Sequence, residues 1–473
     1  MTLRSTKYWE LLPAEIRLMI LELSTREKNP GWASYAAVCK EWQFYIEKKN
    51  FHRLKVRDSC LDEFKSMVVR QRDLVRHIQF IIELPEYSCY SCRSYTSVAR
   101  ESPEQSIIGD RIWELFSILG TWKPATGGIT LELNVYSPSD SKHWFKNCYF
   151  TSDDGDLDTV TSTHDGDGGE ISSKLHDPKH GWFKGQRDRA PSISATEELF
   201  QSVVDMGPRI EFPRVDVVAC FMIRRQLRRC LRPLDVQYIL GSFPQLERMV
   251  YERWQPWAGL WSTFADSQFL HLLNYGIPKT LRRLSVFEDF NKDLAAILAD
   301  PYSRVYQEPD TVRKMSDYKR IDFVCRIFNL NLEEISVSYM VNAEDFFPAS
   351  PTTRYRDPWP TGPWERLQSL ALTSQLLRPT TSHQETNALL FRAGVSALQM
   401  PKLRTLALWN GTRGMAAANM ESRVQPSSDR GVAIRGIDAA LGGTPDREAA
   451  NRRKRDQVPW RCYLPSRLAM PGG

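Results

Sequence analysis

The hexapeptides Leu367-Gln368-Ser369-Leu370-Ala371-Leu372 and Leu403-Arg404-Thr405-Leu406-Ala407-Leu408 decide how this chain folds. Apolar residues fill the first, fourth and sixth positions of each. The fourth and sixth share one face of a strand, as period-two alternation requires. The same frame recurs upstream, starting at Phe51, Val75, Val215, Leu246, Leu281 and Leu332. Ile129, Leu131, Leu133 and Val135 alternate likewise, outside this frame.

Amphipathic stretches lie between these strands. Ile108, Ile112, Leu115, Phe116 and Leu119 form one helical stripe, and Leu199, Phe200, Val203, Val204 and Met206 another. Phe269, Leu270, Leu272 and Leu273 lie in a third, and Leu389, Leu390, Phe391, Val395 and Leu398 in a fourth. Pro213, Pro244, Pro278 and Pro401 precede strands and end the helical connections. The repeated unit is helix, proline, strand. Its frame resembles that of leucine-rich repeats, with steps from Val215 onward of roughly 31, 35, 51, 35 and 36 residues, longer and less regular than usual. The resemblance implies an irregular leucine-rich-repeat-like α/β solenoid. An open α/β sheet with similar strands accounts for the same pattern.

At the N-terminus, Leu11 to Ile46 reads LLPAEIRLMILELSTREKNPGWASYAAVCKEWQFYI. Pro13 suits the first turn of a helix, Glu15 suits its positive end, and Ile16, Met19, Ile20 and Leu23 follow at helical spacing. Asn29-Pro30-Gly31 breaks the pattern before a second amphipathic stretch with Val38, Trp42, Tyr45 and Ile46. So short a segment needs other surfaces to cover its apolar side chains. Leu12-Pro13-Ala14-Glu15-Ile16, then Ile20 and Leu23, then Val38-Cys39-Lys40-Glu41-Trp42 resembles an F-box. The middle departs from the usual pattern, with Trp32-Ala33-Ser34-Tyr35-Ala36 in place of a leucine-rich second helix.

The resemblance implies a short all-α F-box over residues 1–50, followed by an α/β substrate-binding region over 51–411. It also implies a Skp-family adaptor bound through Leu12, Pro13, Ile16, Ile20, Leu23, Val38 and Trp42, and through that adaptor a cullin. Together with LVRHIQFIIELPEYSC (74–89), LNVYSPSDSKHWF (133–145) and MPKLRTLALWNG (400–411), the F-box pattern is similar to that of fungal F-box proteins. The expected role is a substrate receptor of an SCF-type ubiquitin ligase, itself not an enzyme, acting in the cytoplasm and/or nucleus. An F-box scaffold, or a repeat-type interaction module whose hairpin caps its own body, fits the same residues.

Composition narrows the classes. With 473 residues and 42% hydrophobic content, the chain can bury a large core. No apolar run is long enough to span a bilayer, so no membrane partner is expected. Net charge is +6, and from Gly411 onward there are about 11 Lys and Arg against about 6 Asp and Glu, so the body is close to neutral. A neutral body argues against nucleic acid as a partner. Nine scattered cysteines suit buried thiols rather than disulfides.

Residues 153–180 begin acidic and Gly/Thr-rich and read as a disordered loop; Asp154, Asp156 and Asp158 imitate the start of a calcium loop, but Thr159 stands where its glycine is needed. Trp254, Trp257, Trp359 and Trp364 could rim a substrate-binding surface, or else form a satellite cluster over the strand ends. Residues 412–473 read as a disordered tail, and Arg452-Arg453-Lys454-Arg455 within it as a solvated basic run, with a nuclear import signal or a nonspecific anion-binding patch as the alternatives.

No phosphate-binding loop, nucleophile elbow, zinc-protease helix or dinucleotide turn occurs in the sequence. Cys89-x-x-Cys92 lacks a second pair, and His176 and His180 lie far along the chain. The expectation is therefore no catalytic residues, no cofactor and no metal.

Overall fold

The structure is a computed structural model and describes residues 9–26, 32–89, 104–124, 127–145, 176–183, 186–187, 189–200, 203–204, 206, 211–255, 259–289, 315–347, 362–378, 380–410, 417–422 and 432–437. It opens with α1 (Ala14–Arg26), a 3-10 turn (Trp32–Ala37) and α2 (Lys40–His52). Strand β1 (Arg53–Arg57) starts at the next residue, Arg53, whose extended backbone (φ −132, ψ 120) turns helix directly into strand.

Strands β2 (His77–Glu83), β3 (Ile129–Tyr136), β4 (Val218–Ile223), β5 (Arg248–Trp254) and β6 (Arg283–Asp289) follow. They continue as β7 (Glu334–Ser338), β8 (Ser369–Thr373) and β9 (Thr405–Trp409). Among the described residues these nine form one parallel sheet in which each strand pairs with the next in chain order. Parallel neighbours require a crossover, and the helices supply it. They are α3 (Leu61–Met67), α4 (Glu104–Leu119), α5 (Ile193–Phe200), α6 (Pro233–Gly241), α7 (Gly259–His271), α8 (Asp317–Asn329), α9 (Ala343–Phe346) and α10 (His383–Ala397). Local chemistry sets their starts: Pro233 opens α6, and a Ser382–Glu385 capping box opens α10.

The alternation in the sequence is the register of the sheet. Leu54, Ile78, Leu131, Phe221, Met249, Leu284, Ile335, Leu370 and Leu406 stand side by side across all nine strands. Two residues on, Val56, Phe80, Leu133, Ile223, Tyr251, Val286, Val337, Leu372 and Leu408 form a second row. All but Leu54 are buried, in one cluster with Ile112 and Leu115 of α4, Ile239 of α6, Phe323 and Ile327 of α8, and Leu389 of α10.

The structure corrects the sequence reading at several points. The frame at Val215 is displaced by three residues: Val218, Phe221 and Ile223 occupy the positions expected of Val215, Val218 and Cys220, because two apolar frames overlap there. At β3 the frame's first position falls on Gly128, just before the strand, with φ +59; a Cβ there would come within 2.5 Å of Ala219 Cβ, which is why no apolar side chain marks it. Helix α5 stops at Phe200, and Val203–Val204 pair instead with Cys230–Leu231. Phe391 and Val395 on α10, and Leu398 just after it, are exposed rather than facing the core. Within the tail expected to be disordered, Ala417–Ser422 (β10) and Val432–Ile437 (β11) add two antiparallel strands beyond β9. At the end of the loop expected over 153–180, Asp177 and Trp182 bridge around a turn; residues 153–175, including the calcium-like aspartates, lie outside the described residues, as does Arg452–Arg455.

Buried charges pin the strand ends. Arg229 grips Asp140 through two hydrogen bonds of 2.6 and 2.9 Å. Arg253 Nη2 lies 2.9 Å from Glu288 Oε1 and 3.5 Å from Asp266 Oδ1. On the sheet face opposite the core, Glu132 accepts from Gln79 Nε2 (3.2 Å) and lies 2.9 Å from His77 Nε2.

Candidate functional site

Helices α1 and α2 are joined by side-chain contacts. Leu21 and Ile46 are fully buried, and Lys49 Nζ donates to the Thr25 hydroxyl (2.6 Å), tying the end of α1 to α2. Thr25 in turn donates to the Leu21 carbonyl at 2.8 Å. Trp42 lies between two rings, tilted 5.4 Å from Trp9 and edge-on 5.9 Å from Tyr35. Glu41 closes the other end of the pair, accepting from Trp9 Nε1 (2.7 Å) and facing Arg17 at 3.3 Å. These contacts use up one side of each helix.

The other side is apolar and open. Leu23 is 63% exposed, Met19 55% and Ile16 42%, spaced three and four residues apart on one face of α1. Leu11, Leu18, Tyr35, Val38 and Phe44 are also exposed. Single exposed apolar residues are ordinary, but a group this dense on two short helices is characteristic of a surface that meets a partner.

The expected adaptor residues therefore divide. Pro13, Ile16, Leu23 and Val38 are exposed; Leu12, Ile20 and Trp42 are half-buried, with Trp42 serving to pack the helices together. Met19 and Phe44 belong with the exposed set, and Met19 was legible from its place in the α1 periodicity.

Of the four tryptophans expected at a substrate surface, the two described lie apart. Trp254 ends β5, donates from Nε1 to the Arg225 carbonyl (2.9 Å) and packs edge-on against Phe200 at 4.7 Å, beside the small cluster of Phe145, Ala195, Leu199 and Phe200. Trp364 precedes β8, at the opposite end of the strands, edge-on to Phe328 at 5.0 Å. Trp257 and Trp359 lie outside the described residues. Burial pushes the thiols of Cys220 and Cys230 up, so neither is a ready nucleophile. Metal-ligand chemistry gathers elsewhere, at Cys89, His143 and His180 beyond the ends of β2 and β3.

Fold and surface together define a mixed α/β protein: a nine-strand parallel sheet with helices, carrying an open helical surface beside its first strand. Residues 276–439 are similar to a family of unknown function (DUF6546), a match that covers less than half of the chain and runs from the approach to β6 through β11. It does not include α1 or α2. No curated protein matches the chain.

Proposed function

We propose that the chain is a non-catalytic substrate receptor of an SCF-type, cullin-RING ubiquitin ligase, with α1 and α2 forming an F-box that docks a Skp-family adaptor. The observation that carries this reading is the group of exposed apolar side chains between Leu11 and Phe44, above all Ile16, Met19 and Leu23 on one face of α1. The order L-P-x-E-I, then V-C-K-x-W, supports it from the sequence. Fungal F-box proteins are the relatives this pattern suggests.

The body would hold a protein substrate. Its strictly sequential parallel strand order, with helices sharing one core, supports a leucine-rich-repeat-like solenoid over a doubly wound sheet, in which strand order reverses at a switch point. The mechanism is positional. Tethering the substrate beside the ubiquitin-charged enzyme raises the effective concentration of its lysines, while the thioester chemistry stays with other subunits. Cytoplasm and nucleus are both compatible settings.

The test is co-purification of a Skp-family adaptor with the full chain. Wild type captures the adaptor, and the Leu12→Ala/Pro13→Ala variant loses it while the unfolding transition of the body is unchanged. A wild-type chain that never captures the adaptor refutes the proposal. A chain that captures it, but whose bound proteins do not accumulate when the gene is deleted, is the F-box scaffold instead.

A further inference from the structure

Three segments from distant parts of the chain meet beyond the ends of β2 and β3. The segment after β2 is laced to the turn after β3: Ser137 Oγ donates to the Pro85 carbonyl (2.8 Å), Tyr87 N to Ser139 Oγ (3.1 Å), and Ser139 Oγ back to the Tyr87 carbonyl (3.0 Å). That turn is itself fixed, through a Ser137–Asp140 capping box and the buried Arg229–Asp140 pair. The third segment is the turn Pro178–His180, joined to the second where Trp182 Nε1 donates to the Trp144 carbonyl (3.2 Å). Gly181 makes this turn feasible: its φ is +69, and a Cβ would meet the Arg189 carbonyl oxygen at 2.7 Å.

Each segment contributes one side chain with a metal-binding atom. Cys89 Sγ lies 3.5 Å from His143 Nδ1, and the ligand atoms of Cys89, His143 and His180 all lie within 4.8 Å of one another. Tetrahedral zinc, with bonds of about 2.3 Å to sulfur and about 2.0–2.1 Å to nitrogen, separates a sulfur and a nitrogen ligand by roughly 3.6 Å. The Cys89–His143 spacing fits that value.

The outer nitrogens fit as well. His180 Nδ1 is 2.7 Å from Asp177 Oδ2, and His143 Nε2 is 3.3 Å from the Tyr87 carbonyl oxygen. Both partners only accept, so a ring proton on the nitrogen that faces each would satisfy them and leave the other nitrogen's lone pair for a metal. That arrangement leaves His180 Nε2 and His143 Nδ1 for the metal, each ring oriented by a contact of the kind that ligating histidines make. His180 is buried, whereas Cys89 is exposed and leaves a path for an ion to enter.

We infer that Cys89, His143 and His180 bind one zinc ion that clasps these three segments to the end of the sheet. One thiolate and two imidazoles are a borderline-soft donor set suited to zinc, and the fourth coordination position is left to water or a further ligand. The site stands independently of adaptor binding.

The experiment uses the full chain, expressed with zinc and dialysed against metal-free buffer. Elemental analysis is expected to find stoichiometric zinc, and replacement by cobalt(II) to give the thiolate-to-cobalt charge-transfer band of a tetrahedral site. Cys89→Ser abolishes that band. His143→Ala and His180→Ala each weaken zinc tenfold or more in competition with a chromophoric chelator. Asp177→Asn, a change at a positioning residue, weakens it by about 10–100-fold, while His271→Ala, on α7, leaves it unchanged. Wild-type chain that retains no zinc and gives no cobalt band overturns the inference. So does a Cys89→Ser chain that binds zinc as tightly as wild type; because Cys89 is exposed, this arm remains decisive if His180→Ala fails to fold.

Discussion

Replacing Ile16, Met19 and Leu23 together by alanine removes three heavy atoms at each position from the open face of α1. Burying a methylene-sized group stabilises by about 0.8 kcal/mol. Only the surface now exposed, 42%, 55% and 63% of the three residues, is available to a partner. Scaling by those fractions gives about 1 to 1.5 kcal/mol per residue and about 4 kcal/mol for all three, roughly a thousandfold in Kd. The assay is isothermal titration of a purified Skp-family adaptor into the full chain, alongside chemical unfolding of each variant. Because the three side chains contribute little to the fold, each change is expected to move folding stability by no more than about 0.5 kcal/mol. Leu21→Ala provides the contrast: Leu21 is buried, so its loss is expected to cost about 2–5 kcal/mol of stability. An adaptor affinity that the triple variant leaves unchanged would refute the reasoning, since the apolar face would then have no part in docking.

Glu132 makes stability pH-dependent. Burial pushes its carboxyl up, but the hydrogen bond and charge of His77, with Arg224 and Arg53, more than offset this and hold it below the ordinary carboxylate value. A depressed folded-state pKa stabilises above the unfolded value, and the contribution disappears as pH falls through the folded one. Urea unfolding should therefore show Glu132→Gln less stable than wild type at pH 7, with the gap closing in acid; a gap that widens in acid contradicts the assignment. The register of β8 gives a second test. Leu370→Ala, at a buried position of the core row, is expected to cost about 2–5 kcal/mol, while Ala371→Ser on the opposite face changes unfolding by no more than about 0.5 kcal/mol; equal effects would mean that the faces are misassigned.

Much of the sheet was legible because side-chain alternation is a property of the backbone and does not depend on what lies far away. Leu370, Leu372, Leu406 and Leu408 therefore fell in the right rows from spacing alone. The frame slipped at Val215 because β-branched residues continue through Val218 and make two frames equally apolar. Helix faces were less legible: Phe391 and Val395 repeat at core spacing yet point outward, since an amphipathic pattern does not show how wide a stripe the sheet can cover. The cluster of Cys89, His143 and His180 was legible only in fragments. Cys89 and His143 lie 54 residues apart, and only the hydrogen bonds between the ends of β2 and β3 bring them within reach. Cys89-x-x-Cys92 pointed to one ligand, but Cys92 lies outside the described residues and the histidines follow no local spacing.

The direct passage from α2 into β1 makes the first strand a fixed origin for everything stacked on it. Neighbouring strands lie about 4.8 Å apart, so β9 stands roughly 38 Å along the sheet from β1. A partner resting on the strands opposite the helices would be set at a distance from α1 counted in whole strands, as on a ruler. Two partners that engage different strands would differ in reach by multiples of that step, with no change to the hairpin itself.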